Sequence, residues 1–289
     1  MSSEELRYDK DGKVVLGQIY NQPDPRTYYS TLRKLDYVIP GEAAPVFREL
    51  IAARRQMREA REVSLLDLGC SYGVNAAILK HGLPLDALYQ RYSGAELAEF
   101  DPESLAAIDR DYYTDRIADP DLRVNGLDVA ERAVDYAVTA NILDDGLALN
   151  LETAQLERQE QEAIGGSDMV ISTGCIGYVT GRTLTTLIEL GEAGDGPPWM
   201  AHFVLRMFPR EPFDEMFEEH DYVTETLPGT FRQRRFASVE EREHVLDNLS
   251  AIGVDPADHE ADGWYHAEFR LSRPRRDAEQ LPLDAILRH

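Results

Sequence analysis

Hydrophobic positions along the chain follow two patterns, short continuous apolar runs and longer stretches in which apolar residues recur every three or four positions. The runs are typical of buried strands, and the stretches are typical of amphipathic helices. The strands predicted in this way cover residues 63–68, 122–128, 147–151, 168–172, 199–208 and 263–271. Because helical stretches separate most of them, we predict an α/β fold with a doubly wound, mostly parallel seven-stranded sheet.

Segments outside this alternation predict additions to the sheet. Residues 1–62 show helical patterns without a convincing strand and predict an N-terminal cap, in front of a catalytic domain at 63–273. Within that domain, residues 81–121 are helical and rich in tyrosine, which predicts a lid insertion. Residues 209–237 show no clear pattern and predict an irregular insertion, and residues 274–289 form a C-terminal tail.

The composition and net charge of the chain exclude several classes of binding partner. The net charge of −23 over 289 residues repels nucleic-acid phosphates and anionic membranes, so we expect a small-molecule substrate. The two cysteines, Cys70 and Cys175, are too few for a disulfide framework or a cysteine zinc site. We expect no metal site, no membrane span and no signal peptide, and therefore a cytoplasmic protein. The oligomeric state stays open, with a homodimer included.

The loop after the first strand carries the strongest chemical signal. It reads Asp67-Leu-Gly-Cys-Ser-Tyr-Gly73. Glycine at positions 69 and 73 lets the chain turn tightly and lets a ligand approach the backbone. Asp67 can face a cationic amine. Asp128, which ends the next predicted strand, suits two ribose hydroxyls.

Two other enzyme classes compete for the same loop. Its Gly-x-Ser-x-Gly spacing also fits the nucleophile elbow of an α/β-hydrolase, with Ser71 as the nucleophile. However, no His-Gly-Gly oxyanion segment precedes residue 63, and an elbow on the first strand comes too early. A nicotinamide dehydrogenase needs Gly-x-Gly-x-x-Gly, which this loop fits poorly. A non-catalytic module that only binds the cofactor is not excluded.

Residues 67–73 resemble the first motif of class I S-adenosylmethionine-dependent methyltransferases, acid-x-Gly-x-Gly-x-Gly. Residues 126–137 are similar to the second motif of that family, in which an acid ends the second strand and binds the ribose. The resemblance covers residues 63–273. It implies a Rossmann-like fold, S-adenosylmethionine as cofactor and S-adenosylhomocysteine as product, without a metal. The cofactor-binding residues that it implies are Asp67, Gly69, Cys70, Ser71, Gly73, Asp128, Val129, Glu152 and Thr173.

The sequence departs from that family in two places. Ser71 replaces the middle glycine. Asp67 and Asp128 also lie much farther apart than the about 20 residues that are usual in the comparable dinucleotide fingerprint. The insertion at 81–121 would explain this distance. If the insertion contains the true second strand, Glu96 replaces Asp128 as the acid that binds the ribose.

The resemblance places the acceptor beside the loop after the fourth predicted strand, and it implies methyl transfer to oxygen or nitrogen. Tyrosines of the cap and insertion are candidate lids, and Arg26 could meet a carboxylate. The candidate substrate-binding residues are Tyr20, Arg26, Tyr28, Tyr89, Tyr92, Cys175 and Tyr178. No catalytic base is assigned. Tyr178, His202 and His266 are the candidates, although core packing is the stronger interpretation of both histidines.

A local pattern also predicts one helix start. Ser238 is followed three positions later by Glu241, and the apolar positions 245, 246 and 249 come behind them. This spacing fits a capping box, in which the serine side chain accepts from a backbone N–H of the first helical turn.

Overall fold

The first strand lies at the centre of the sheet in the computed structural model, which describes residues 17–257 and 259–287. Two strands flank it, and both run parallel to it. The strands are β1 Val63–Leu68, β2 Leu122–Asp128, β3 Asp145–Ala148, β4 Met169–Thr173, β5 Trp199–Leu205, β6 Tyr222–Thr226, β7 Phe231–Arg235 and β8 Trp264–Pro274.

Helices connect these strands. In the described ranges the α-helices are α1 Gly17–Tyr20, α2 Arg26–Lys34, α3 Ile39–Arg58, α4 Val74–Leu79, α5 Leu85–Ser93, α6 Pro102–Thr114, α7 Glu131–Thr139, α8 Arg158–Gly165, α9 Gly181–Ala193, α10 Glu211–Glu219, α11 Val239–Ala251, α12 Arg275–Gln280 and α13 Leu283–Ile286. Two short 3-10 helices cover Ala95–Leu97 and Glu260–Asp262.

The order of the strands is β3-β2-β1-β4-β5-β8-β6, and β7 also pairs with β8. Pairings from β3 to β5 are parallel, whereas β8 runs antiparallel to its three neighbours. This order confirms the prediction of a doubly wound, mostly parallel α/β sheet. Successive strands are added on one side of β1 as far as β3 and then on its other side from β4 onwards. Sheets of this kind bind ligands outside the carboxyl ends of the strands at the point where the order reverses.

The prediction that residues 209–237 form an irregular insertion was wrong. They form α10, β6 and β7, and the sheet has eight strands rather than seven. β6 and β7 pair with successive parts of β8, separated by Pro228-Gly229. β7 reads Phe-Arg-Gln-Arg-Arg, and its two buried residues, Gln233 and Arg234, are polar, whereas Arg232 and Arg235 are exposed. The alternation of apolar and polar residues that marks a strand is therefore weak.

The third strand begins two residues earlier than predicted, and the helix that follows it, α8, begins only at Arg158. β3 pairs only with β2, so it is a short edge strand, and its Asp145 and Gly146 give no apolar signal. Asn150 accepts a backbone hydrogen bond from Glu152 and holds the following segment in turns.

Both faces of the sheet are covered. All seven residues of β5 are buried. Phe203 packs edge-on against Phe47 of α3, with 5.4 Å between the ring centroids. The next side chain, His202, lies on the opposite face in a small cavity with Leu184 of α9 and Phe217 of α10. This double coverage explains why the strands read as continuous apolar runs.

The N-terminal helices are tied to the far end of the sheet. Val38 donates its backbone N–H to the Gln233 carbonyl at 2.8 Å, and the Arg235 N–H donates to the Leu35 carbonyl at 2.8 Å. This segment therefore covers the edge of β7 that does not face β8. Among the described residues, no helix is long and apolar enough to span a lipid bilayer.

Candidate functional site

The loop after β1 turns through three left-handed residues, Gly69, Ser71 and Gly73, with φ of 75°, 48° and 74°. Only glycine adopts this conformation without a steric penalty. At Gly69 the approach of the chain adds a second constraint, since a Cβ there would lie 2.9 Å from the Cβ of Cys175. The loops after β1 and β4 are thus packed against each other at the carboxyl edge of the sheet.

Asp67 lies beneath this loop, with 1% of its surface exposed. Its Oδ1 accepts from Asn75 Nδ2 at 2.9 Å, and the same amide nitrogen lies 3.3 Å from Thr173 Oγ1. Within the described residues, its Oδ2 has no hydrogen-bond partner. Burial raises the pKa of Asp67 to about 7, against the Asn75 hydrogen bond and with a smaller contribution from Asp128. A cationic ligand at Oδ2 would favour the ionised form.

Asp128 ends the strand next to β1. Its Oδ2 accepts from the Ser71 N–H at 2.9 Å, and its Oδ1 accepts from the Ala130 N–H at 3.0 Å. A carboxylate offers about four lone pairs, so each oxygen keeps one for a ligand. The backbone bonds fix the carboxylate against the turn after β1, and the next residue, Val129, is exposed.

Glu96, the competing acid, does not end a strand. It lies in the 3-10 helix Ala95–Leu97 between α5 and α6, and it is exposed. The insertion at 81–121 is helical as expected, and the true second strand is β2. The long separation between Asp67 and Asp128 therefore arises from inserted helices.

Glu152 and Thr173 occupy different surroundings. The Glu152 carboxylate accepts from the Thr180 N–H at 2.8 Å, the Thr180 hydroxyl at 2.6 Å and the Thr183 hydroxyl at 2.5 Å. It thereby holds the start of α9. Thr173 ends β4 beside Asn75 and close to the Tyr37 side chain. Thr173 thus lies next to Asp67, whereas Glu152 is engaged with a helix terminus.

The N-terminal cap lies over the carboxyl edge. The Tyr72 hydroxyl, in the loop after β1, donates to the Gln22 carbonyl at 2.8 Å and accepts from the Gln22 N–H at 2.9 Å. Asn21 Oδ1 accepts from the Arg132 N–H at 2.9 Å, at the start of the helix that follows Asp128. Tyr20 lies close enough to Asp128 for their charges to interact, and burial raises the pKa of Tyr20.

The other residues expected to form a lid lie between the cap and the insertion. Tyr28 packs against Tyr72 with 5.4 Å between the ring centroids. The Tyr89 hydroxyl donates to the Tyr37 carbonyl at 2.6 Å. Tyr92 donates to Asp109 at 2.6 Å. Arg26 pairs with Asp24 at 2.8 Å. Each of these side chains therefore has a partner within the fold.

The histidine candidates are buried. His202 Nδ1 lies 2.9 Å from Ser172 Oγ, and burial, with a further effect of Arg270, lowers the pKa of His202 to about 3. His266 Nδ1 lies 3.0 Å from Thr230 Oγ1, and burial also lowers its pKa. Both rings are therefore neutral at pH 7, and His202 faces α9 and α10 rather than the strand ends.

Tyr178 differs from the histidines because its side chain is 46% exposed. It follows β4, and its ring lies edge-on to Phe208 with 5.5 Å between the centroids. Of the three candidates it is the one on an open surface.

Ser71 lacks the surroundings of a nucleophile. Its side chain is buried, and within residues 17–257 and 259–287 its Oγ has no hydrogen-bond partner. A serine nucleophile needs a base within hydrogen-bond reach. The Ser–His contact described above joins Ser172 to His202, beneath the helices.

Sequence reasoning missed three residues of this region: Asn75, Tyr37 and Gln233. Asn75 lies in the helix after the glycine turn, where its side chain reads as an ordinary helical polar residue. Tyr37 follows α2 in a stretch without a motif. Gln233 lies in the segment that the sequence analysis described as irregular. Their roles depend on contacts between distant parts of the chain, for which no local signal exists.

Searches against known proteins returned remote similarities of fold. No protein-family model matches the sequence, and no curated protein matches it. The chain is similar to a cyclopropane-fatty-acyl-phospholipid synthase-like protein from Lactobacillus casei (12% identity, TM-score 0.40, 78% of this chain and 90% of that chain). It is also similar to magnesium protoporphyrin IX methyltransferase from Synechocystis with bound S-adenosylmethionine (10%, 0.38, 81% and 80%). A third similar structure is a putative sarcosine dimethylglycine methyltransferase from Galdieria sulphuraria (13%, 0.39, 81% and 88%).

Proposed function

We propose that the protein is an S-adenosylmethionine-dependent methyltransferase that acts on oxygen or nitrogen of a small molecule. One observation carries the proposal. Asp67 is a buried carboxyl group with one unpartnered oxygen, directly beneath the left-handed glycine turn at the point where the strand order reverses. A buried polar atom without a partner is rare in proteins and calls for an explanation, and a cationic ligand supplies one.

The residues at this edge fit the cofactor. Asp67 would accept from the amino group, and the free lone pairs of Asp128 would accept from the two ribose hydroxyls. The backbone from Gly69 to Gly73 would line the middle of the ligand, with Thr173 opposite. Glu152 enters the proposal as the residue that holds α9. We do not assign it a contact with the adenine.

When bound, S-adenosylmethionine supplies a methyl carbon that an acceptor lone pair attacks while the carbon–sulfur bond breaks towards sulfur. The residues of the chain bind and orient the two partners, and orientation alone can lower such a barrier by up to about 7–11 kcal/mol. The cap segment around Asn21 and Gln22 bonds to Tyr72 and to the start of α7 and would cover part of the carboxyl edge. The proton that the acceptor loses passes to solvent, since no described side chain is assigned as a base.

A turnover assay tests the proposal. The purified chain is incubated with methyl-labelled S-adenosylmethionine and a pool of low-molecular-weight metabolites. We expect S-adenosylhomocysteine to form only when the pool is present. Cofactor binding without product from any pool would favour the non-catalytic binding module. Hydrolysis of simple esters that is lost in Ser71→Ala would favour the hydrolase.

A further inference from the structure

Gln233 places a buried amide against the loop that follows β4. Its side chain is 3% exposed, and within the described part of the chain its Oε1 has no hydrogen-bond partner. Gly174, in that loop, has a φ of 100°, and a Cβ at this position would overlap the Gln233 amide nitrogen. The amide therefore lies directly beside the loop at which the family resemblance implies the acceptor.

The shape of β7 explains how the side chain reaches this position. The pairing of β7 with β8 shifts register between Arg232 and Arg235. Between these two pairings β7 has one residue more than β8, which interrupts the regular alternation of its side chains, and both Gln233 and Arg234 are buried. Irregularities of this kind redirect side chains, and they are frequent next to active sites. Because Val38 and Leu35 hold the backbone on either side, Gln233 is positioned without any bond to its own amide oxygen.

Two aromatic rings lie at the same loop, and the cation next to Gln233 in the sequence is ion-paired. Phe208 packs against Gly177 of the same loop, and Tyr178 lies beside Phe208. Arg234 forms a bidentate ion pair with Glu241, with distances of 2.9 and 2.8 Å. A cation that is already paired with a carboxylate offers little attraction to an anionic acceptor.

Resting on the proposed function, we propose that Gln233 is a specificity-determining residue that accepts a hydrogen bond from the hydroxyl or amino group of an uncharged aromatic acceptor. A buried carbonyl oxygen without a partner favours a ligand that brings an O–H or N–H group. A carboxylate brings none at neutral pH. A phenolic oxygen can donate its hydrogen to Gln233 and still present a lone pair for methylation.

Ligand-observed NMR with simple probes tests this inference on the full chain saturated with S-adenosylhomocysteine. The probes are phenol, aniline and benzoate at equal concentration. For the wild-type protein we expect binding of phenol or aniline and weaker binding of benzoate. Gln233→Leu and Gln233→Met, which remove the acceptor at similar size, should weaken phenol and aniline at least fivefold. Gln90→Leu, the same change on the exposed surface of α5, should have no effect.

The controls separate this inference from the proposed function. Titration with S-adenosylhomocysteine should give the same affinity for the wild-type protein, Gln233→Leu and Gln233→Met, and thermal unfolding identifies a variant that fails to fold. When S-adenosylhomocysteine binds, three outcomes would contradict the role of Gln233. They are preferred binding of benzoate, no binding of any probe, and binding of phenol by the folded Gln233 variants as tight as that of the wild type. If the product itself does not bind, the proposed function fails first.

Discussion

Two buried aspartates in different parts of the molecule have opposite hydrogen-bonding states. Asp109, in the helical insertion, is fully buried and accepts from the Arg91 guanidinium, the Tyr92 hydroxyl at 2.6 Å and the Tyr136 hydroxyl at 2.6 Å. Asp67, under the glycine turn, is equally buried but accepts from Asn75 alone. Arg91 and Tyr92 of the insertion together with Tyr136 of α7 satisfy Asp109. Among the described residues, the turn leaves one oxygen of Asp67 without a partner.

This difference separates a structural acid from an acid that is available to a ligand. A buried charge that is fully paired fixes the elements around it, because its removal leaves the partner charge uncompensated. A buried carboxyl group with a free oxygen destabilises the fold when it ionises, and a bound cation removes that cost. We therefore expect substitutions of Asp109 to affect folding, and substitutions of Asp67 to affect ligand binding and the pH dependence of stability.

The largest effect is expected for Asp109→Asn. The substitution leaves Arg91 without a carboxylate, and breaking a buried pair in this way costs about 3–5 kcal/mol. Denaturant unfolding at pH 7.5 measures the loss. The matched change Asp67→Asn, which keeps the bond from Asn75, should not lower the free energy of unfolding. Equal losses in the two variants would remove the distinction between the two acids.

The second-largest effect is the pH dependence of the free energy of unfolding that Asp67 causes. Its folded pKa of about 7 lies above the ordinary value of 3.8, so its contribution to stability is complete below pH 4 and is lost as the pH rises through 7. The free energy of unfolding of the wild type should fall relative to Asp67→Asn by up to about 1.4 kcal/mol per pH unit in that window. Unfolding curves from pH 4 to pH 9 measure this difference. A difference that does not change with pH contradicts the assignment.

A smaller effect is expected for Asp128→Ala. Removal of the carboxylate should weaken S-adenosylhomocysteine at least tenfold, or about 1.4 kcal/mol, because the two ribose hydroxyls lose their acceptor. Fluorescence or calorimetric titration measures the change. Glu96→Ala serves as the matched control, since Glu96 lies on the 3-10 helix of the insertion. Equal weakening in both variants would argue against a ribose contact at Asp128.

The smallest effect is expected for Ser71→Ala. Among the described residues, the Ser71 side-chain oxygen has no hydrogen-bond partner to lose. The affinity for S-adenosylhomocysteine and the rate of any methyl transfer should therefore stay within about twofold of the wild type. A turnover assay beside an ester-hydrolysis assay checks both enzyme classes at once. If Ser71→Ala lost the activity that the wild type shows, the result would support Ser71 as a nucleophile.

The sequence identified the elements whose signals are local. An apolar run that ends in an acid and is followed by a glycine turn marked β1 and Asp67, and a run that ends in an acid marked β2 and Asp128. Ser238 caps α11 as predicted, since its hydroxyl accepts from the Glu241 N–H at 3.1 Å. The Glu241 carboxylate, however, binds Arg234 rather than completing the box.

Features that depend on distant contacts could not be identified in this way. The two buried residues of β7 are the ion-paired Arg234 and the amide Gln233, so the composition of this strand resembles that of a surface loop. The tyrosines of the cap and insertion are predicted at a ligand, and the structure shows that the Tyr89 and Tyr92 hydroxyls donate to the Tyr37 carbonyl and to Asp109. Tyrosine has an apolar ring and a polar tip, so its sequence context does not distinguish a packed ring from one that contacts a ligand.

The most direct test of a cofactor site at Asp67 is calorimetric titration with S-adenosylhomocysteine near pH 6, in two buffers that differ in ionisation enthalpy. At that pH Asp67 is mostly protonated, and a bound ammonium group lowers its pKa. We therefore expect saturable binding with release of up to one proton, and no proton release in Asp67→Asn. Absence of binding at millimolar ligand, or identical affinity and proton release in Asp67→Asn, would contradict the assignment.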